Sequence, residues 1–416
     1  MAFAEAVAGP LDAQAADAGR GEPRRLQRRI TQQRWAVREQ HLHDGMMQLS
    51  HVDPRRVAYL DCGELTTLFF CACPSPRRVM SVAQWQEAFA FIMGLPSPAL
   101  ADAGVVGWSM EDVAGRRFQI DACGGSLARA LLADGLHIRQ SRATERAMLR
   151  PVLEAGVPGW EQPSAIFAGV LPQEAVAAEE DRRELERRGM VPDGVLSLPG
   201  RFPRVRLRAD RAVAARDFLI EIKNVHDGTR WYLEAAAAAE RCGGVSRRMG
   251  TIAREYELRA MELDEVHHGV AHHRAGRHGR RVPVAGPGPV LQRYQEYPPV
   301  VGLVAGPRAE VSAPVLALLA VAARAAAASR WRMAGARRVE DAVSFFASTL
   351  RRDLAFSIIR EEAYLRVTRA RRLRAHGRGR RDWAAAADGD AGGALEDAVD
   401  DFFRGLEPAF GGHERR

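Results

Sequence analysis

Lysine is almost absent from this sequence. The chain carries 60 lysine and arginine residues, and Lys223 is the only lysine among them. On most solvated surfaces the two residues exchange freely, but a planar guanidinium cannot replace a compact ammonium on a flexible stem in a tight site. The single lysine therefore predicts a position where arginine fails, with a chance survivor of an arginine-rich composition as the alternative.

Cysteine is scarce as well. The chain has five cysteines and no CxxC pair, at Cys62, Cys71, Cys73, Cys123 and Cys242. An odd number in this spacing indicates neither a disulfide framework nor a zinc knuckle. A reducing, intracellular compartment is therefore expected.

Long apolar runs are also missing. The first residues, MAFAEAVAGPLDAQAADAG, have neither the basic start nor the apolar stretch of a secretion signal, so no secretion is expected. The most apolar segment, APVLALLAVAARAAAA, is dominated by alanine and interrupted by Arg324. It predicts a buried helix and no membrane association.

Basic charge is abundant by contrast. The chain of 416 residues is 47% hydrophobic, which is enough for one large or two ordinary domains with real cores. Its formal net charge is +8 at pH 7. Clustered arginine supplies the salt-sensitive part of nucleic-acid affinity, so a polyanionic partner is favoured.

Composition and periodicity divide the chain into segments. They are a disordered lead-in at 1–25, a basic segment with a small α/β module at 26–135, an α/β core at 136–306, a helical extension at 307–376, and a flexible basic and acidic tail at 377–416.

The small α/β module contains two predicted strands and a predicted helix. RRVAYLDC and LTTLFFCAC are the candidate strands. In SVAQWQEAFAFIMGLP, the residues Val82, Trp85, Phe89 and Ile92 recur every three or four positions, and Ser81 precedes them as a candidate N-cap. These four side chains are expected to face the core.

The α/β core has a definite order of predicted elements. A helix at 141–155 is followed by a strand in SAIFAGVL, a charged helix in QEAVAAEEDRRELERRG, and strands in VPDGVLSL and DFLIEIKNV. A long helix with one apolar stripe, from Val245 through Tyr256 to Leu263, leads to a last buried strand in PPVVGLVAG.

Two of these strands carry ionisable residues that a buried strand does not normally tolerate. Asp193 lies near the start of the first, and Glu221 and Lys223 lie two apart on the second, so their side chains leave the same face. If the strands are neighbours, two carboxylates and an ammonium converge. Mg²⁺ is the cation that such a site prefers, because it takes one or two carboxylates, keeps several waters and accepts a phosphate oxygen. A surface hairpin with an ordinary glutamate–lysine pair is the alternative.

The pattern Pro192-Asp193 followed by Glu221-Ile222-Lys223 resembles the PD-(D/E)xK nucleases. That resemblance implies a restriction-endonuclease-like α/β core built as helix, three strands, helix, strand. It implies Asp193 and Glu221 as ligands of Mg²⁺ or Mn²⁺ and Lys223 as the catalytic lysine.

A broader similarity covers most of residues 55–375. VMSVAQWQEAFAFIMGLPSP, DACGGSLARALLADGLHIRQ and ERAMLRPVLEAGV look like the region ahead of the restriction-endonuclease-like domain in non-LTR retrotransposons and repetitive algal relatives. That family usually has a Cys/His cluster there, and only Cys123 and His137 stand in the corresponding stretch. The resemblance extends the expected location to the nucleus.

Further site residues follow from the same reasoning. Many nucleases of this type use another acid on the first core helix, for which Glu145 is the candidate and Glu180 and Glu184 are alternatives. The arginines expected to contact the DNA backbone are Arg204, Arg206, Arg208, Arg247, Arg248 and Arg254.

These observations predict a metal-dependent endonuclease acting on DNA and derived from a mobile element. A catalytically silent, DNA-binding remnant of such an element is the alternative. A structural partner in an RNA-containing complex is a third possibility, and it would show a preference for RNA at matched salt.

Overall fold

The computed structural model describes residues 23–72, 78–161, 164–167, 169–171, 192–203, 214–226, 229–275, 280–284 and 286–376. The predicted tail at 377–416, residues 1–22 of the predicted lead-in and the predicted charged helix at 173–189 lie outside these ranges. The fold is mixed α/β, mostly helical, with a small mixed sheet.

The N-terminal module is largely helical. Its helices are α1 (Pro23–Gln48), α2 (Pro54–Asp61), α3 (Glu64–Phe70), α4 (Val82–Ile92), α5 (Pro98–Ala103) and α6 (Gly125–Arg129). A two-stranded antiparallel hairpin, β1 (Ser109–Glu111) and β2 (Arg117–Gln119), lies between α5 and α6.

The two strands predicted in this module are wrong, since RRVAYLD lies in α2 and the first six residues of LTTLFFCAC lie in α3. The start of α2 is fixed locally, because the Asp53 side chain accepts a hydrogen bond from the Arg55 backbone N–H at 2.8 Å and proline occupies the first helical position. In α3, Leu65 and Phe69 are buried four residues apart, which is helical spacing.

Helix α4 begins at the predicted cap, but of the four residues predicted to face the core only Ile92 is buried. Ser81 accepts a hydrogen bond from the Gln84 backbone N–H, as expected of an N-cap. Val82 and Phe89 are 73% and 50% exposed, whereas Phe91 and Ile92 are buried. The helix carries apolar residues on two faces, so periodicity alone cannot identify the inner one.

The core begins with a long helix and continues as strands and helices. These elements are α7 (Leu136–Glu154), β3 (Gly159–Glu161), a 3₁₀ turn (Ser164–Phe167), β4 (Gly194–Pro199), β5 (Ala215–Asn224), α8 (Arg230–Ala237), α9 (Gly243–His268), the hairpin β6 (His272–Ala275) and β7 (Arg280–Pro283), α10 (Pro289–Gln295), and β8 (Val301–Ala305).

The first core strand lies earlier in the chain than predicted. SAIFAGVL contains the 3₁₀ turn, and the strand is β3, only three residues long. Ile166, Phe167 and Leu171 are buried in the apolar cluster formed with α9, so their apolar pattern reflects packing and not strand pairing. The predictions of β4, β5 and β8 are confirmed.

The four-stranded sheet has the order β3-β4-β5-β8. Strands β3 and β4, and β4 and β5, are antiparallel, whereas β5 and β8 are parallel. The chain crosses from β5 to β8 through α8, α9 and α10, as a parallel connection requires.

Helices cover both faces of this sheet. Alternate residues of β5 divide between two cores: Phe218, Ile220 and Ile222 face one apolar cluster, and Leu219 faces the other. The first cluster also receives side chains from α3, α4 and α7, and the second receives them from α8, α9 and α10. The sheet is therefore buried between two helical layers.

The predicted extension contains two helices, α11 (Ala313–Arg330) and α12 (Val339–His376). Both contribute to the first apolar cluster, and α11 packs against β8 of the sheet. Within the described residues, α11 is the one helix long and apolar enough to cross a membrane, and 61% of that window is buried inside the structure. Such burial is typical of a core helix.

An ion pair ties α12 to the N-terminal module. The Arg369 side chain is 0% exposed and donates to the Asp134 carboxylate at 2.7 and 3.2 Å. It also donates to the carbonyls of Leu127 and Ala128 at 2.5 and 3.1 Å.

Arg369→Ala leaves the Asp134 carboxylate buried and without its cationic partner. The substitution is therefore expected to lower the free energy of unfolding, measured by urea titration, by about 3–5 kcal/mol.

The matched control is an exposed ion pair on α7. Arg150 and Glu154 lie 2.7 Å apart with side chains 66% and 52% exposed. Arg150→Ala is expected to change the free energy of unfolding by less than about 1 kcal/mol. Equal effects of Arg369→Ala and Arg150→Ala would show that the buried pair does not hold α12 in place.

Candidate active site at the start of β4 and the end of β5

The antiparallel pairing of β4 and β5 brings the predicted acids together. Gly194 pairs with Ile220, so Asp193, one residue before Gly194, lies beside Glu221. The Ile222 backbone N–H donates a hydrogen bond to Asp193 Oδ2 at 2.6 Å. The start of one strand and the end of the other therefore form a single edge.

Glu221 and Lys223 project from the same face of β5. Ile222 between them is buried in the first apolar cluster on the opposite face. The Lys223 ammonium forms an ion pair with Glu221 Oε1, with side chains 41% and 8% exposed. The Lys223 side chain is therefore partly exposed to solvent, while the carboxylate that it pairs with is nearly buried.

The Asp193 carboxyl is hard to ionise in this setting. Burial and the charges of Glu221 and Glu145 raise its pKa to about 7, against the opposing effects of the Lys223 ammonium and the Ile222 N–H. For Lys223, burial lowers the pKa, but the charges of Glu221 and Asp193 outweigh it and the net shift is upward. Two other carboxylates and a single ammonium therefore act on Asp193.

Glu145 is positioned by α7. Met148, Leu149 and Val152 of this helix are buried in the first cluster, and Glu145 lies one turn before them. Its charge raises the pKa of Asp193, which places it near the strand ends. Glu180 and Glu184 lie outside the described residues, so Glu145 is the one predicted helical acid whose position can be related to the site.

Tyr256 is a site residue that the sequence pattern placed only in the apolar stripe of α9. Its hydroxyl donates a hydrogen bond to Glu221 Oε2. Its ring stacks on Tyr294 with centroids 6.5 Å apart, and burial together with the Glu221 charge raises its pKa well above the usual value. The phenol is therefore neutral. The sequence signal that could have identified Tyr256 as a site residue is its hydroxyl within an otherwise apolar stripe.

The predicted DNA-contacting arginines differ in position. The charge of Arg248 opposes the upward shift of the Lys223 pKa, and Arg248 pairs with Glu255 at 2.7 Å. Arg247 pairs with Glu234 and Glu240 between α8 and α9. Arg254 is exposed on α9. The remaining three, Arg204, Arg206 and Arg208, lie outside the described residues.

The chemistry of the donors fits a hard divalent cation. Asp193 and Glu221 supply carboxylate oxygens side by side, and burial together with the charge of Glu221 raises the pKa of Asp193. In the described part of the chain, no three His, Cys, Asp or Glu side chains already surround a common metal position. Asp193 and Glu221 are the residues that could hold Mg²⁺ at this edge.

Comparison of the chain with protein-family models, curated proteins and solved structures finds no match.

Asp193→Asn is expected to stabilise the metal-free protein above neutral pH. The folded pKa of about 7 exceeds the usual value of 3.8, so the contribution of the protonated carboxyl is complete below pH 3.8 and is lost as the pH rises through 7. Asparagine keeps an acceptor for the Ile222 N–H without the charge. Thermal and urea unfolding at pH 8 should show a gain of about 2–4 kcal/mol that disappears near pH 4.

Asp217→Asn provides the matched control, because Asp217 lies on the exposed start of the same strand. Its stability should follow the wild type across this pH range. If Asp193→Asn followed the wild type as well, Asp193 would be an ordinary surface carboxyl.

Proposed function

We propose that this chain is a Mg²⁺- or Mn²⁺-dependent endonuclease of the PD-(D/E)xK type that hydrolyses DNA phosphodiester bonds. The observation that carries the proposal is the convergence of Asp193, Glu221 and Lys223 at one edge of the sheet, with a carboxyl whose pKa is raised to about 7. Perturbed carboxyls of this kind concentrate at functional sites.

The order of elements supports a restriction-endonuclease-like core. Helix α7 precedes the antiparallel strands β3, β4 and β5, and α9 leads to β8, which is parallel to β5. With α8, the β6–β7 hairpin and α10 set aside, this order agrees with the helix, three strands, helix, strand sequence that the resemblance implies, which supports the proposal. The acids occupy the start of the second strand and the end of the third, where an antiparallel pair brings them together.

Each site residue has a role in the proposed chemistry. A bound Mg²⁺ supplies polarisation of the scissile phosphate and a lowered pKa for a bound water. Asp193 and Glu221 hold the cation through carboxylate oxygens. The Lys223 ammonium stabilises negative charge that develops on the phosphate oxygens, and Glu145 is a further acid beside Asp193.

The charge of the chain supports DNA as the substrate. The net charge of +8 attracts a polyanion, and Arg248 lies close to Lys223. The resemblance to the endonuclease portion of non-LTR retrotransposons supports a mobile-element origin. It also supports an intracellular location and, more specifically, a nuclear one.

A catalytically silent DNA-binding remnant is the second candidate. It is favoured by the fate of His137, one of two residues left where the similar family carries a Cys/His cluster. His137 Nε2 lies 3.0 Å from the Ala130 carbonyl oxygen, and its ring packs edge-on against His226 with centroids 4.5 Å apart. This histidine therefore serves packing within the fold.

Nicking of supercoiled plasmid tests the proposal. The purified wild type is expected to nick DNA with Mg²⁺ or Mn²⁺ and not with EDTA. Asp193→Ala removes a cation ligand, and Lys223→Arg replaces the ammonium with a planar fork. Each is expected to lower the rate at least about 100-fold.

Asp217→Asn is the control for nicking, since it alters an exposed carboxylate near the start of β5, away from the site at the end of that strand. It should retain the wild-type rate. A folded wild type that binds plasmid but nicks it with neither metal would reject the nuclease and favour the silent remnant.

A further inference from the structure

Both oxygens of the Glu221 carboxylate are engaged by side chains of the protein itself. Oε1 forms the ion pair with the Lys223 ammonium, and Oε2 accepts the hydrogen bond from the Tyr256 hydroxyl. These two partners differ in charge. The ammonium carries a positive charge, whereas a phenol that donates its proton to a hydrogen bond is neutral.

A divalent cation and the ammonium oppose each other at this carboxylate. Like charges a few ångströms apart repel strongly next to a nearly buried group, and the Glu221 side chain is only 8% exposed. The Tyr256 hydroxyl poses no such conflict, because a carboxylate oxygen has two lone pairs and the donor carries no charge.

We propose that Lys223 is the resident cation of Glu221 and that metal binding displaces it, while Tyr256 holds the carboxylate in place during the exchange. This inference rests on the proposed function, whose metal site it deepens. In the metal-free protein, the Lys223 ammonium occupies Oε1 of Glu221. With a metal bound to Glu221, the Lys223 ammonium would be free to stabilise negative charge on the phosphate.

The surroundings of both partners suit these roles. The Lys223 side chain is 41% exposed, so its stem has solvent into which the ammonium can move. Tyr256 is fixed by stacking on Tyr294, whose hydroxyl lies 3.3 Å from the Ala253 carbonyl oxygen on α9. Tyr256 is therefore a positioning residue that acts through Glu221.

The exchange also explains why the only lysine of the chain stands here. Arginine forms bidentate, charge-assisted pairs with carboxylates, in which two N–H groups meet both oxygens. Such a pair would hold Glu221 more firmly against the metal and would compete with Tyr256 for Oε2. An ammonium makes a single point contact and leaves more readily.

A single lysine makes the displacement directly observable. Labelling with ¹⁵N-lysine gives one Nζ signal, which reports Lys223 alone. In the metal-free protein this signal should show protons protected from exchange by the ion pair. Titration with Mg²⁺ at pH 8 should shift the signal and remove the protection. Glu221→Gln should lack the protection from the start.

Mn²⁺ binding measured by calorimetry supplies the independent readout. Lys223→Met and Lys223→Gln are expected to bind Mn²⁺ about 5–10-fold more tightly than the wild type, because no ammonium has to be displaced. Lys223→Arg should bind it more weakly. Tyr256→Phe should weaken binding about 10-fold or more, and Asp217→Asn should not change it.

The outcomes separate this inference from the nuclease proposal. An unchanged Nζ signal in protein that binds Mg²⁺ overturns the exchange, as does equal or weaker Mn²⁺ affinity in both neutral variants. Absence of Mn²⁺ binding in every variant overturns it too. A shifted signal and tighter neutral variants without plasmid nicking support the exchange and reject the nuclease. Plasmid nicking with an unchanged Nζ signal supports the nuclease and rejects the exchange.

Discussion

The register between β4 and β5 is the constraint on which the candidate site depends. Gly194 faces Ile220, and this pairing sets Asp193 beside Glu221. A slip of one residue would turn Glu221 and Lys223 to the opposite face, where Ile220 and Ile222 now fill the apolar cluster. The burial of both faces of the sheet therefore fixes the register, and the register fixes the site.

The charged site lowers the stability of the protein, and the packing of the surrounding fold offsets this effect. The pKa of Asp193 is raised to about 7 because burial and neighbouring carboxylates oppose its ionisation. Glu221 is nearly buried and takes its two partners from different elements, Lys223 from β5 and Tyr256 from α9. The two apolar clusters on either side of the sheet provide the rigid support that such a charged edge requires.

The strands of the site could be predicted because their sequences place charged residues within apolar runs. Charged residues inside VPDGVLSL and DFLIEIKNV, and a lone lysine, stand out against an apolar and arginine-rich background. Other features depend on tertiary contacts. Strand β3 is too short to show a period, α4 is apolar on two faces, and the role of Tyr256 appears only when α9 packs against β5. Asp53 and Pro54 before α2 are a capping signal that the sequence does contain.

Anomalous diffraction from crystals soaked in MnCl₂ tests the central claim most directly. The account predicts one Mn²⁺ peak at the start of β4 and the end of β5, about 2.1 Å from carboxylate oxygens of Asp193 and Glu221. It also predicts that the Lys223 ammonium has left Glu221 while the Tyr256 hydroxyl remains. A well-diffracting soaked crystal with no peak at this edge, and with Lys223 still paired to Glu221, would contradict it.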